Sequence, residues 1–158
     1  MSLSYKVRSL IEAFKDGEVN VIAHQANCFN KMGSGIAPQI AKAFPKAKEA
    51  DDNTVKGDHR KLGSVSRANV SEGYIYNLYG QYYPGKNTDY AALRQALRHM
   101  ASQLYLLKGS AKIGLPKIGC GIGGGDWEIV SDIIKEELSG FEVIIYVLHE
   151  YEIPKNSS

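Results

Sequence analysis

Apolar positions along the chain fall into two alternating rhythms. Residues 19–25 (VNVIAHQ) form a nearly unbroken apolar run, the pattern of a strand buried on both faces. Residues 143–148 repeat it near the end of the chain, and residues 112–115 are a shorter version. Residues 5–7 read as a short edge strand, and residues 64–69 and 74–79 alternate well enough for two strands around Ser71, Glu72 and Gly73. Helical spacing separates these runs. It predicts a short helix over 10–14, and a second from Ile36 through Ile40, Ala43 and Phe44 that Pro45 ends, with another turn or two at 47–53. The longest predicted helix is 89–107, with Asp89 as its N-cap and Ala92, Leu93, Ala96, Leu97, Met100, Leu104 and Leu107 as its apolar stripe. A last one covers 127–138. Strands alternating with helices define an α/β class, with helices on both faces of the sheet. With no repeat or linker, residues 1–153 read as a single domain and 154–158 as a frayed tail.

Two glycine-rich loops interrupt this pattern, each between a strand and a helix. Residues 115–127 read LPKIGCGIGGGDW, which puts five glycines into seven positions. Without a Cβ, successive N–H groups can turn inward as a nest, and the following helix start adds partial positive charge at the same point. The pattern points to an anion held mainly by backbone. Gly119, Gly121 and Gly124 spell GxGxxG, yet a dinucleotide fingerprint needs an acidic residue ending the next strand. Glu142 instead begins that strand. Cys120 lacks the Arg that a Cys-based phosphatase loop carries shortly after its nucleophile, and no Walker A lysine is present. The second loop of this kind follows the 19–25 strand: Ala26, Asn27, Cys28, Phe29, Asn30, Lys31, Met32, Gly33, Ser34, Gly35, Ile36, Ala37. Two such loops at the carboxyl ends of neighbouring strands flank one crevice, and two amide-rich walls suit a diphosphate.

Composition narrows the class without naming it. The 158 residues, 44% hydrophobic and 23% charged, suffice for one domain burying roughly two thirds of its unfolded surface. A net charge of +2, with Lys and Arg spread apart from His59, Arg60 and Lys61, is no footprint for nucleic acid. No apolar run of membrane length and no signal peptide is seen, which argues against a membrane or secreted protein. Both cysteines, Cys28 and Cys120, fall in the two loops; free thiols there favour the cytoplasm, and a disulfide between them is not expected. His24, His59, His99 and His149 are scattered without zinc-site spacing, so no metal and no cofactor are expected.

The segments NCFNKMGSGIAPQIAKAFPKA (27–47), GDHRKLGSV (57–65) and LPKIGCGIGGGDW (115–127) resemble the macrodomains, which bind ADP-ribose. The similarity covers almost the whole chain. It is strongest to the branch with ADP-ribose-1''-phosphate phosphatases, terminal ADP-ribose glycohydrolases and antitoxins that strip ADP-ribose from DNA. The resemblance implies a three-layer α/β/α fold with a mixed central sheet. It also implies ADP-ribose or ADP-ribose 1''-phosphate as the ligand, and nucleic acid only as an ADP-ribosylated substrate. We expect a monomeric, metal-independent phosphatase that hydrolyses ADP-ribose 1''-phosphate to ADP-ribose and phosphate, with a glycohydrolase that removes ADP-ribose from protein or nucleic acid, or a non-catalytic reader of ADP-ribose, as the alternatives.

Roles follow residue by residue. Asn27 has an amide that can both donate to and accept from hydroxyls, and by resemblance it contacts the distal ribose; a turn role competes. Gln25 and Ala26 line the same edge. Met32, Gly33, Ser34, Gly35, Ile36 and Ala37, with Gly119, Cys120, Gly121, Ile122, Gly123, Gly124 and Gly125, wrap the diphosphate and distal ribose. Asp126, raised in pKa beside a phosphate, would orient or deprotonate water, or else it only caps the next helix. His24 is the other candidate for that step, or a hydrogen-bonded core residue. Trp127 stacks on the ribose or, the reading favoured, anchors its helix.

Two departures from the family are visible. Many macrodomains place an adenine-binding Asp where this chain reads Lys6, Val7, Arg8, Ser9, Leu10, leaving Ser9 and the backbone at Leu10 for that role. The glycohydrolases use a Lys after the strand at 74–79 and often an Asp in the second loop. Gly80 or Gln81 and Gly123 occupy those places here, with Lys86 further on. A phosphatase does not require that lysine.

Overall fold

The structure, a computed structural model, describes residues 2–155. Its six strands are β1 (Ser2–Val7), β2 (Val21–Asn27), β3 (Val65–Val70), β4 (Gly73–Gln81), β5 (Lys112–Leu115) and β6 (Glu142–Val147), joined in one sheet of order β1-β6-β5-β2-β4-β3. All neighbours run parallel except the β3/β4 hairpin, which makes the sheet mixed with β3 at one edge and β1 at the other. Parallel strands buried on both faces need apolar residues at successive positions, and β2 shows this: Val21 and Ala23 face one core while Ile22 faces the other.

Five helices supply the two outer layers: α1 (Leu10–Lys15), α2 (Ala37–Ala43), α3 (Pro45–Asp52), α4 (Tyr90–Gln103) and α5 (Trp127–Glu137). The stripe Leu93, Ala96, Leu97 and Met100 of α4 packs with Val130, Ile133 and Ile134 of α5 against one face. Leu10 and Phe14 of α1, Ile40 of α2 and Ala47 of α3 cover the other. Each fully buried aliphatic side chain contributes about 1.5–3 kcal/mol. Arg94 and Arg98 of α4 reach Glu137 of α5 at 2.8 and 2.9 Å, and these cations hold its carboxyl below the usual range.

Several boundaries differ from the sequence reading. β2 begins at Val21 rather than Val19 and continues to Asn27, because Asn20 turns its carbonyl to Tyr74 N and its side chain to Ser110 O and Lys112 N. Pro45 both ends α2 and starts α3, at a first-turn position where its missing N–H costs nothing. The long helix stops at Gln103; the chain tightens into a 3-10 turn at Tyr105–Leu107, which leaves Leu107 41% exposed and takes it out of the stripe. A 3-10 turn at Glu150–Glu152 follows β6, and of the expected frayed tail only Pro154 and Lys155 are described; residues 156–158 lie outside the described residues. No helix among the described residues is long and apolar enough to cross a membrane.

Candidate functional site

β2 and β5 are parallel neighbours, so the loops leaving them, residues 28–36 and 116–126, meet at the carboxyl edge of the sheet, although β2 runs on past the end of β5. Between them lies a cavity of about 210 Å³. Asn27, Lys31, Met32, Ser34, Gly35, Ile36 and Ala37 line it from the first loop, and Pro116, Lys117, Ile118, Gly119, Gly121, Ile122 and Gly123 from the second. His24, Gln25, Ala26, Gln81 and Gly85 complete it. Two lysines, Lys31 and Lys117, belong to the lining, the second with its Nζ 5.7 Å over the Trp127 ring, and no Asp, Glu or Cys does. Two lysines and no acid among the lining residues favour a phosphate-bearing ligand. Lys31 and Lys117 were missed as site residues, although both stand inside the glycine-loop motifs, where a cation was the available signal.

The first loop is shaped by side-chain hydrogen bonds. Asn27 Oδ1 accepts from Phe29 N at 2.9 Å and its Nδ2 donates to Lys31 O at 2.8 Å, so this amide folds its own loop and occupies the turn role. Asn30 sits in the left-handed region at φ 57°. Lys48 Nζ donates to its carbonyl at 2.8 Å, while Lys61 Nζ donates to Asn30 Oδ1 and, at 3.1 Å, to Cys28 O. Lys61 is only 7% exposed, and burial lowers its pKa from the usual lysine range.

The second loop is shaped by the lack of side chains. Gly119 and Gly124 have φ of 73° and 75°. A Cβ on Gly123 would stand 2.3 Å from Thr88 Oγ1 and 2.8 Å from Gly119 O, and one on Gly124 would meet the stem of Lys86 at 2.2 Å. Only Gly121 faces open space. Most of the glycine excess therefore serves close packing of the loop on Thr88 and Lys86, a requirement the anion-nest argument did not contain.

The remaining expected site residues separate cleanly. His24 is 1% exposed, and its Nε2 lies 2.6 Å from Asn77 Oδ1. Asn77 Nδ2 donates to Ala47 O at 3.1 Å, so Oδ1 must face the imidazole and His24 carries its proton on Nε2. Burial lowers its pKa, so the imidazole that borders the cavity is a buried ring tied to Asn77. Asp126 caps α5, accepting from Glu128 N at 2.9 Å through Oδ1, and lies outside the cavity lining. Trp127 Nε1 donates to Tyr5 OH at 3.0 Å and packs edge-on to that ring, which joins α5 to β1. Ser9 caps α1 and Leu10 is core, so neither belongs to this lining, nor do Gly33, Cys120, Gly124 and Gly125. Cys28 and Cys120 are both free thiols; burial pushes Cys120 up to about 11 and raises Cys28 as well, so neither is an activated nucleophile. Among the described residues, no three His, Cys, Asp or Glu side chains gather as metal ligands.

A mixed sheet covered by helices on both faces, with two such loops at its carboxyl edge, defines a three-layer α/β/α domain. The family model described as Macro domain matches residues 23–134, and the chain belongs to that family. An uncharacterized 17.5 kDa protein of Enterobacteria phage T4 is 39% identical over 92% of this chain and 96% of its own length. The ADP-ribose glycohydrolase OARD1 of Bos taurus is 32% identical over 75% of each chain. An ADP-ribose 1''-phosphate phosphatase of Lodderomyces elongisporus is 27% identical over 84% of this chain and 89% of its own. Among solved structures, the macrodomain of Thermus aquaticus DarG superposes with a TM-score of 0.74 at 24% identity, covering 92% of this chain and 98% of that one. The macrodomain fold is thereby established, with relatives that process ADP-ribose derivatives.

Proposed function

We propose that this macrodomain binds ADP-ribose 1''-phosphate in the cavity between its two loops and hydrolyses it to ADP-ribose and phosphate, acting as a monomer in a reducing cytoplasm. The carrying observation is the charge of the lining: Lys31 and Lys117, with the backbone of Ser34, Gly35, Gly119 and Gly121, and no carboxylate. A substrate with an added terminal phosphate carries more negative charge than ADP-ribose and gains most from such walls. The named phosphatase relative supports the same reading. Water attacks the terminal phosphorus, the bond from phosphorus to the anomeric oxygen breaks, and the released anomeric oxygen takes up a proton. Asp126 ends the second loop and caps α5 through Oδ1 from just outside the lining; to orient the water its side chain would have to turn toward the terminal phosphate when substrate binds, the role that Asp126→Ala tests.

The test is phosphate release from ADP-ribose 1''-phosphate with chelator present, comparing the parent chain with Asn27→Ala and Asp126→Ala. Turnover that falls in both, while Asp126→Ala still binds ADP-ribose, supports the phosphatase; tight binding of ADP-ribose without turnover sinks it in favour of a non-catalytic reader.

A second reading is removal of ADP-ribose from a macromolecule. It draws on Lys86, whose stem lies against Gly124 at the second loop, and on the glycohydrolase relative. Release of ADP-ribose from a modified protein or nucleic acid, abolished by Lys86→Ala, would select it.

A further inference from the structure

Thr88 lies beyond the cavity lining, in the turn between β4 and α4, yet three of its bonds reach the site. Thr88 Oγ1 donates to Gly119 O at 2.7 Å and Thr88 N donates to Gly123 O at 3.1 Å, so one residue grips the second loop at two carbonyls four residues apart. The hydroxyl has one proton, and Gly119 O takes it. Thr88 Oγ1 must then accept from Gln25 Nε2 at 2.8 Å, which fixes the orientation of that amide. The other proton of Gln25 Nε2 goes to Gln81 Oε1 at 2.8 Å, which turns Gln81 Nε2 toward Tyr83 O and Gly85 O at 2.7 and 2.9 Å. Every proton in the chain of bonds has one possible place. The relay links the second loop, the end of β2 and the rim at 83–85 into one unit, and both loop and rim border the cavity.

We propose that Thr88 is a positioning residue that sets the second loop in its ligand-ready shape before ligand arrives, so that the backbone lining the cavity at Gly119, Gly121, Ile122 and Gly123 needs no reordering on binding. The glycines fit this arrangement: a Cβ at Gly119 or Gly125 would stand 3.2 or 3.3 Å from Thr88 Cγ2, and one at Gly123 would overlap its hydroxyl. Preset donors cost less on binding than donors that must be ordered. The inference rests on the reading of this cavity as the ADP-ribose site.

The experiment compares the parent with Thr88→Val, which keeps the shape and removes the hydroxyl, and with Thr88→Ser, which restores it. Calorimetric titration uses ADP-ribose and AMP, the latter lacking the second phosphate and distal ribose. Thr88→Val weakens ADP-ribose about 10-fold or more, AMP changes less than about 2-fold, and Thr88→Ser stays within about 3-fold of the parent, as expected for the loss of one grip on the loop that leaves a Gln25 Nε2 proton without its acceptor while Gly119 O keeps its bond from Gly125 N at 2.7 Å. Equal loss for both ligands, or no loss, overturns the proposal. If Thr88→Val fails to fold, Thr88→Ala removes the hydroxyl without added strain and must show the same split. If the parent binds neither ligand, the assignment of the cavity fails instead. Amide exchange at Gly121, Gly124 and Gly125 then decides the role of Thr88: faster exchange in the valine variant upholds it and unchanged exchange refutes it.

Discussion

The two loops that wall the cavity do the same job by opposite means. Residues 28–36 hold their course through polar side chains: Asn27 folds back on the loop, and Lys48 and Lys61 clamp Asn30 from outside. Their glycines, Gly33 and Gly35, face open space. Residues 116–126 hold theirs by lying directly on Thr88 and Lys86, where a Cβ has no room. The first loop is therefore sensitive to loss of a polar group and the second to gain of a carbon. Glycine count alone does not distinguish them; the neighbours do.

The largest effect should come from adding one carbon to the second loop. Gly123→Ala drives a methyl into Thr88 Oγ1 and Gly119 O, and overpacking of that kind costs about 1–3 kcal/mol with displacement of the loop. We expect ADP-ribose affinity to fall about 100-fold or more, since each 1.4 kcal/mol is tenfold and several amides move together. Gly121→Ala adds the same carbon to open space and should leave the melting temperature within the range of ordinary surface changes, below about 0.5 kcal/mol. Calorimetry of both variants breaks the comparison if they behave alike.

The sequence made the architecture legible because strands buried on both faces and an amphipathic α4 leave strong periodic signals, and Asp89 and Asp126 cap where their positions predicted. Both site loops were legible too, from composition and order. The partners that shape them were not. Thr88 stands 31 residues from Gly119, Lys61 stands 31 from Asn30, and nothing in local spacing marks either as a neighbour. His24 illustrates the same limit, since its role depends on Asn77, 53 residues away.

A smaller effect tests the first loop. Lys61→Met removes the ammonium beneath it and leaves Asn30 Oδ1 without that donor, while Cys28 O keeps its bond from Gly57 N at 2.7 Å. Burial lowers the lysine's pKa, so the charge is costly to hold, and replacing it by an apolar stem of similar length relieves that cost. The two effects offset, and stability should change by less than about 1 kcal/mol, while a loosened loop weakens ADP-ribose about 3–10-fold. Denaturation and titration of the same variant check both halves. A large loss of stability with unaltered affinity would make Lys61 a core residue with no bearing on the loop.

The smallest effect lies one layer deeper, where His24 and Gln25 point from β2 to opposite faces of the sheet and each starts a polar network under one loop. On the Gln25 side the bonds run to Thr88 and the second loop. On the His24 side they run through Asn77, Ser66 and Tyr79 to Asp51, with Lys61 Nζ 5.0 Å over the Tyr79 ring and bonded to the first loop. Only this second network contains an imidazole. Burial sets the folded pKa of His24 below its ordinary 6.5, so between that lowered value and 6.5 the unfolded chain holds a proton that the folded chain does not. Stability then falls as pH drops through 6.5, by at most about 1.4 kcal/mol per pH unit from this group, and the loss ends at the folded pKa. His24→Gln should be the less stable protein at pH 7.5, with the gap narrowing toward pH 5. For the proposed phosphatase, the acid limb of phosphate release in His24→Gln should match the parent's if the buried imidazole serves stability alone. A shifted limb with an unchanged stability gap would reverse that assignment and make His24 the base.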